Sequence, residues 1–332
     1  MKKYNYQYYI FGIYLICGSF SLFASNLAMN IFSSYSYVIF FTLLPILFLF
    51  ILFFPKKRNV LMALSRHHLL RILLYLYLIL SSFFQLFSYI NVISDYYYPL
   101  TPKYVLFFLL LLCSLFIGHY GLSNIAKMGF VLFLCTLSLY SITIFSETKH
   151  DFLLLQTNMK TAIQPFYALS FIFVFLDVFL LFLLLPFEKV KKTHLFLVLL
   201  VGILISSLFI FENYLFFPEQ FFDNVKYPYI FKYLSYKKAQ FFEHFDLLYL
   251  ICVSLYMLLH LGMQQEMARL VLLKKRKTIS AFLFPIILTL LYWLLKGFNF
   301  TTQISLLFMS ACSILITSFF IFYYIVERRK KA

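Results

Sequence analysis

The feature that most restricts the fold of this chain is a succession of ten apolar stretches, each about as long as a bilayer is thick. A helix that crosses a membrane needs about 20 mostly apolar residues. The stretches therefore predict ten transmembrane helices, near residues 8–32, 35–54, 69–93, 103–119, 125–145, 167–187, 194–217, 245–270, 278–295 and 303–326. Because they occupy nearly all of the 332 residues, we expect one all-α integral membrane domain, residues 1–332, without a soluble domain.

Composition supports a membrane protein and excludes most soluble classes. Hydrophobic residues make up 63% of the chain, and the mean hydropathy of +0.90 is too high for a soluble domain with a single core. All five cysteines fall inside predicted spans, and no Cys-x-x-Cys pair or His partner lies at metal-ligand spacing. We therefore expect the cysteines to act as small hydrophobic residues and expect no metal or other cofactor. The apolar run after Met1-Lys2-Lys3 is too long for a signal peptide, which predicts that it is retained as the first span.

The placement of basic residues predicts how the chain is oriented in the bilayer. If the N-terminus is cytoplasmic, every Lys and Arg lies on the cytoplasmic side except Lys103, Lys149, Lys160, Lys226, Lys232, Lys237, Lys238 and Lys296. Lys and Arg are enriched in cytoplasmic loops, so this distribution predicts that both termini are cytoplasmic. The net charge of +16 then reflects topology and attraction to anionic lipid head groups. No nucleic-acid partner is needed to explain it.

An even span number allows the chain to contain two related halves. Ten spans divide into five and five, which predicts repeats of opposite orientation, near residues 8–145 and 167–326. Transporters built in this way bind their ligand at the bilayer midplane, where the first helix of each half is interrupted. Gly18, Ser19 and Asn26 are small or polar residues compatible with such an interruption in the first span, and we expect it around residues 18 to 26. The sixth span contains no Gly or Pro before Pro186 and shows no comparable signal.

Asp177, halfway along the sixth span, is the most informative polar residue inside a predicted helix. An ionisable side chain at the bilayer centre costs at least about 2.5 kcal/mol and therefore indicates a function or a specific partner. Asp177 is either a carboxylate that faces a ligand or accepts a proton, or a buried, hydrogen-bonded packing residue. On the eighth span, His260 and Gln264 lie one helical turn apart and share a face, which is typical of an interhelical hydrogen-bond cluster.

Other polar residues in the spans carry weaker signals. Gln85 on the third span is a structural or ligand-contacting candidate, and Glu212 lies near the outer end of the seventh span, where it can reach the interface. No phosphate-binding Gly-rich loop, Gly-x-Ser-x-Gly or His-Glu-x-x-His motif occurs in the chain. We therefore do not expect an enzyme.

Several short motifs occur in an order that resembles the spore germination receptor B-subunit family. In that family a Thr-Pro pair precedes the fourth span and a Gly-x-x-x-Ile-Ala-basic stretch follows it. The family also has an acidic residue in the sixth span, followed by a Pro near the inner end of that span. Before the eighth span it has a Tyr-Pro pair and a Glu-x-x-Asp pattern. The matching residues here are Thr101, Pro102, Gly121, Ile125, Ala126, Lys127, Asp177, Pro186, Tyr227, Pro228, Glu243 and Asp246.

The resemblance implies a fold, a location and partners. It implies the amino acid, polyamine and cation transporter superfamily with its leucine-transporter-like, five-plus-five inverted fold. It also implies a nutrient receptor in the inner membrane of the endospore, working with an A subunit and a lipoprotein C subunit and binding a small nutrient such as an amino acid. The alternative is a freestanding amino acid or cation transporter of the same fold.

The span arrangement and the family resemblance together predict where the ligand binds. We expect it at the midplane between the first, third, sixth and eighth spans, because inverted-repeat folds place their site there. Asp177 is expected to form the principal charged wall and the segment from Gly18 to Asn26 to supply backbone contacts, with Ser19, Gln85 and His260 as the remaining ligand-binding candidates. A carboxylate in this position favours a ligand amine or a proton.

Overall fold

The computed structural model describes residues 5–26, 67–145, 165–184, 192–216, 245–272, 277–295 and 302–329. Within these ranges it contains helices and no strand. The helices are α1 (Asn5–Asn26), α2 (His68–Tyr96), α3 (Lys103–His119), α4 (Gly121–Phe145), α5 (Pro165–Leu184), α6 (Lys192–Phe216), α7 (Phe245–Leu272), α8 (Lys277–Leu295) and α9 (Thr302–Arg329). They fall where nine of the ten spans were predicted; the span predicted at 35–54 lies outside the described residues.

The lengths and compositions of these helices are those of a multi-pass membrane protein. Four of the described segments are long and apolar enough to cross a bilayer, namely His68–Asp95, Gly121–Ser138, Leu247–Leu272 and Phe308–Ile325. Shorter apolar segments lie in α3, α5, α6 and α8. A helix satisfies its own backbone hydrogen bonds, which is what the interior of a bilayer requires because it offers no water.

A proline and a glycine lie at the two ends of α3. Pro102 precedes the first residue of α3 and its carbonyl accepts a hydrogen bond from the Val105 amide at 2.9 Å. At the other end, Gly121 has a φ of +78°, a left-handed conformation that glycine adopts at little cost. Only Tyr120 therefore separates α3 from α4. Ile125 and Ala126, which follow on α4, are fully buried.

The centre of the helix assembly is the second half of α5. Every residue from Phe175 to Leu184 is buried, as expected for a helix that is apolar on all sides. Helices α1 and α9 pack closely against α5, and α7 also contacts it. Helix α7 in turn packs against α2, α3 and α4. A polar side chain on this half of α5 therefore has to find its hydrogen-bond partners on neighbouring helices.

The predicted interruption of the first span between residues 18 and 26 is wrong for this structure. Helix α1 is continuous from Asn5 to Asn26. Gly18 and Ser19 are compatible with a break, but they are equally compatible with a helix that another helix approaches closely. Close approach of a second helix is what the structure shows, because the ring of Tyr256 on α7 lies directly against Gly18.

Candidate functional site: the Asp177 cluster

Four helices bring buried polar side chains together around Asp177 on α5. Helix α2 contributes three side chains spaced four residues apart, and α7 contributes another three with the same spacing. Helix α1 adds one hydroxyl. We call this set the Asp177 cluster; its members are Ser19, Tyr77, Ser81, Gln85, Asp177, Tyr256, His260 and Gln264, and all of them are buried. Because residues four apart lie on one face of a helix, α2 and α7 each present a polar stripe to Asp177.

The carboxylate of Asp177 accepts hydrogen bonds from both stripes. Oδ1 accepts from Tyr77 Oη at 2.9 Å and from Gln264 Nε2 at 2.7 Å, with Ser81 Oγ more distant at 3.5 Å. Oδ2 accepts from Gln85 Nε2 at 3.1 Å and lies 2.7 Å from His260 Nε2. A carboxylate offers about four lone-pair positions. The protein's own donors therefore fill them, and Asp177 is 1% exposed.

Tyr256 connects α1 to the cluster. Its Oη lies 2.7 Å from Ser19 Oγ, and 3.4 Å from both the Leu15 carbonyl oxygen and Gln85 Oε1. Its ring is stacked on the His260 ring, with centroids 5.8 Å apart and an angle of 26° between the planes. A displacement of α1 would therefore move a side chain that touches two of the groups around Asp177.

Gly18 makes the close approach of α1 and α7 possible. A Cβ atom at this position would lie 2.2 Å from Tyr256 Cε2 and 2.3 Å from Cδ2, which is far inside van der Waals contact. Glycine is thus required at residue 18 as long as the Tyr256 ring keeps its place beside Ser19. The role of Gly18 in this conformation is packing, while its backbone remains helical.

One acid and one histidine are the side chains of the cluster most able to carry charge. Among the described residues, Asp177 and His260 form the acid–histidine contact in which both side chains are fully buried, with 2.7 Å between His260 Nε2 and Asp177 Oδ2. The pairs Lys103–Asp95 and Arg269–Glu266 lie nearer the helix ends and are partly exposed. Burying an ionised group is costly unless another charge and hydrogen bonds compensate it. The close donors around Asp177 supply such hydrogen bonds.

Two buried atoms of the cluster have no hydrogen-bond partner among the described residues. They are His260 Nδ1 and Gln264 Oε1, on side chains that have no exposed surface. Both side chains use their other polar atom to contact Asp177. Within the described residues, no group of three or more His, Cys, Asp or Glu side chains is arranged to hold a metal ion.

The structure brings together five of the six predicted site residues. Gly18, Ser19, Gln85, Asp177 and His260 all belong to the Asp177 cluster or touch it. The side chain of Asn26 lies outside the described part of the chain, as does that of Glu212. The helices that meet are those expected, since α1, α2, α5 and α7 correspond to the first, third, sixth and eighth predicted spans.

Three members of the cluster were missed by sequence reasoning. Tyr77 and Ser81 precede Gln85 on α2 at four-residue spacing, and this spacing was the available signal. Tyr256 precedes His260 by the same interval on α7. In a chain with 27 Tyr residues, a single tyrosine attracts no notice unless its position relative to other polar residues is considered.

The comparison with known proteins agrees with the motif order. The spore germination protein family matches residues 67–294, about two thirds of the chain, from the start of α2 to the end of α8. Asp177 and all cluster members except Ser19 lie within the matched region. No curated protein and no solved structure matches the chain. Because the match covers well over half of the sequence, the chain belongs to the spore germination protein family.

Proposed function

We propose that this chain is the B subunit of a nutrient germinant receptor in the inner membrane of the endospore. The observation that carries the proposal is the Asp177 cluster, a buried polar site at the meeting point of four helices in a member of the spore germination protein family. The ligand is a small nutrient such as an amino acid. We place both termini in the cytoplasm and propose ten spans arranged as five-plus-five inverted repeats, because the basic residues and the span spacing favour that arrangement.

The geometry of the cluster fits a sensor. Hydrogen bonds from α2 and α7 converge on one carboxylate of α5, and Tyr256 extends the connection to α1. A ligand that replaces any of these bonds changes the relative stability of two helix arrangements. It thereby shifts a conformational equilibrium, which partner subunits can detect. We propose the receptor A subunit and the lipoprotein C subunit as these partners.

A freestanding amino acid or cation transporter is the second candidate. It is favoured by the buried Asp177–His260 pair, because a carboxylate and an imidazole in contact inside a bilayer are typical of proton-coupled carriers. A transporter must release its ligand on the opposite side, whereas a sensor need not. Uptake of labelled amino acids into proteoliposomes would support transport, and its absence alongside a nutrient-dependent germination response would support the receptor.

The decisive experiment uses spores that carry Asp177→Asn at the native locus. The substitution preserves shape and removes the charge, so we expect the germination dose response to shift to higher nutrient concentration while protein abundance is kept. Ser114→Ala is the matched control, because Ser114 is also buried but bonds only to the Leu111 carbonyl of its own helix, α3. A normal dose response in the Asp177 variant would remove this residue from the site.

The partner proposal has its own test. Deleting the neighbouring A-subunit gene should lower the abundance of this chain in spore membranes, because an unassembled subunit loses the contacts that stabilise it. Immunoblotting of spore inner membranes measures that abundance. Unchanged abundance together with unchanged germination would contradict a multi-subunit receptor and favour a freestanding carrier.

A further inference from the structure

The net charge of the Asp177 cluster depends on two side chains. The other titratable groups that the described helices bring to it are phenols and thiols: Tyr77 on α2, Tyr256 on α7, Cys312 on α9 and, beside Tyr256, Tyr14 and Cys17 on α1. Phenols and thiols are neutral in buried apolar surroundings, and Ser19 of α1 adds only a hydroxyl. An ionised Asp177 beside a neutral His260 therefore leaves one buried negative charge.

Hydrogen bonding to Asp177 determines which atoms of α7 remain available. His260 Nε2 lies 2.7 Å from Asp177 Oδ2 and donates to it, which leaves Nδ1 as an acceptor in the neutral ring. Gln264 Nε2 donates to Oδ1 and leaves the Oε1 atom. Both remaining atoms are buried and have no partner in the part of the chain that the structure describes, whereas nearly all buried polar atoms in proteins have a partner. The face of α7 thus offers two acceptors one helical turn apart.

A single positive charge at this position would act on both the buried negative charge and the unpartnered acceptors. It compensates the buried carboxylate, and it supplies donors to the unpartnered acceptors. A proton on His260 Nδ1 is one such charge; it turns this atom into a donor and leaves Gln264 Oε1 as an acceptor. An ammonium group that donates N–H bonds to His260 Nδ1 and Gln264 Oε1 is another. The two exclude each other, because both use the lone pair of Nδ1.

We propose that the Asp177 cluster holds one positive charge at a time, either a proton on His260 or the ammonium group of a primary-amine ligand bound to His260 Nδ1 and Gln264 Oε1. This inference rests on the proposed function and specifies the ligand class and its contact atoms. Asp177 then acts as a positioning residue that orients His260 and Gln264. Binding of an ammonium ligand to the protonated site transfers the Nδ1 proton to solvent, so one proton is released for each ligand bound.

The test uses the full-length chain in lipid nanodiscs, with methylammonium as the probe and tetramethylammonium, which has no N–H donor, as its control at equal ionic strength. Thermal unfolding is followed with a thiol-reactive dye, as the increase in labelling above that of the exposed Cys135, because Cys312 is buried in the folded protein. We expect methylammonium to raise Tm and tetramethylammonium to leave it unchanged. As pH falls, the apparent affinity for methylammonium should decrease, by up to about tenfold per pH unit, as required when one proton competes.

Two variants separate binding from stability. Gln264→Met removes the Oε1 acceptor together with the Nε2 donor to Asp177, and should abolish the methylammonium effect. Gln265→Met is the matched control, since its side chain is also buried but faces Gly118 on α3, where a Cβ would lie 3.1 Å from Gln265 Oε1. His260→Gln keeps a donor toward Asp177 without a titrating ring. It should eliminate the pH dependence, and it keeps the test informative if the Gln264 variant does not fold.

Three results would overturn the inference. They are an equal response to the two cations, a pH-independent affinity in the unmodified protein, and equal losses in the Gln264 and Gln265 variants. Any of these results, combined with a germination response that still depends on Asp177, would reject the ammonium site and leave the proposed receptor function intact. If germination is independent of the whole gene, the proposed function itself fails.

Discussion

Replacing Gly18 by Ala should destabilise the protein through one identifiable contact. The new Cβ would lie 2.2 Å from Tyr256 Cε2, so the ring would have to move by more than 1 Å to reach ordinary van der Waals distance. Such a movement would disrupt the hydrogen bond between Tyr256 and Ser19 and the stacking of Tyr256 on His260. The perturbation therefore extends from the α1–α7 contact into the Asp177 cluster.

The expected cost follows from these three contributions. Overpacking costs about 1–3 kcal/mol. An interhelical hydrogen bond in a membrane contributes about 0.6 kcal/mol, and a stacked aromatic pair contributes about 0.5–1.5 kcal/mol. We expect Gly18→Ala to lower the free energy of unfolding by about 2–4 kcal/mol, because part of the stacking can be recovered after the ring moves. Reversible unfolding in mixed detergent micelles measures this quantity.

A double-mutant cycle identifies the contact responsible. In a Tyr256→Ala background the ring is absent, so the cost of Gly18→Ala should fall by about 1–3 kcal/mol, the usual coupling of contacting residues. In a Tyr256→Phe background the ring remains and the overpacking cost should persist. Gly12→Ala on the same helix is the control, because its Cβ would meet Val198 Cγ1 at 3.0 Å, far from Tyr256. Additive effects of the Gly18 and Tyr256 substitutions would refute this argument.

Three further predictions concern other parts of the chain. Asp177→Leu should lower the free energy of unfolding by about 2–4 kcal/mol, because four donors within 3.1 Å each lose about 0.6–1 kcal/mol. The purified yield of this variant should be well below that of the Asp177→Asn variant. Gly121→Ala should cost about 1 kcal/mol, because alanine is disfavoured at a φ of +78°, and Tm of the purified protein will show it. Single cysteines replacing Lys275 or Lys330 in a cysteine-free background should react with membrane-impermeant reagents only after permeabilisation, and labelling in intact cells would reject cytoplasmic termini.

Helix positions were largely predictable from the sequence. The bounds of α2, α3 and α7 agree with the predicted spans at 69–93, 103–119 and 245–270 to within a few residues. This agreement has a local cause. In a bilayer, a run of about 20 apolar residues has no alternative to a helix, because its backbone polar groups must be paired within the segment. The connection at Gly121 also has a local cause. The family motif places a glycine there, and glycine adopts a positive φ at little cost.

The course of α1 was not predictable in the same way. Gly18 and Ser19 indicated a break, and the helix is continuous. Small residues permit an interruption, and they also permit a second helix to approach closely. Only the position of Tyr256 in space distinguishes these outcomes, since its ring fills the volume that a side chain at residue 18 would otherwise occupy.

The sequence by itself determined that this chain is a helical membrane protein and that Asp177 requires either specific partners or a function. Both conclusions depend on the free-energy cost of placing polar groups in a bilayer. The tertiary structure decided which residues are the partners of Asp177. The partners of Asp177 are 92 and 100 residues away on α2 and 83 and 87 residues away on α7. Such pairings depend on how helices dock and rotate against one another. Helix packing determined which donors form hydrogen bonds to the Asp177 carboxylate. It also left His260 Nδ1 and Gln264 Oε1 without a partner among the described residues.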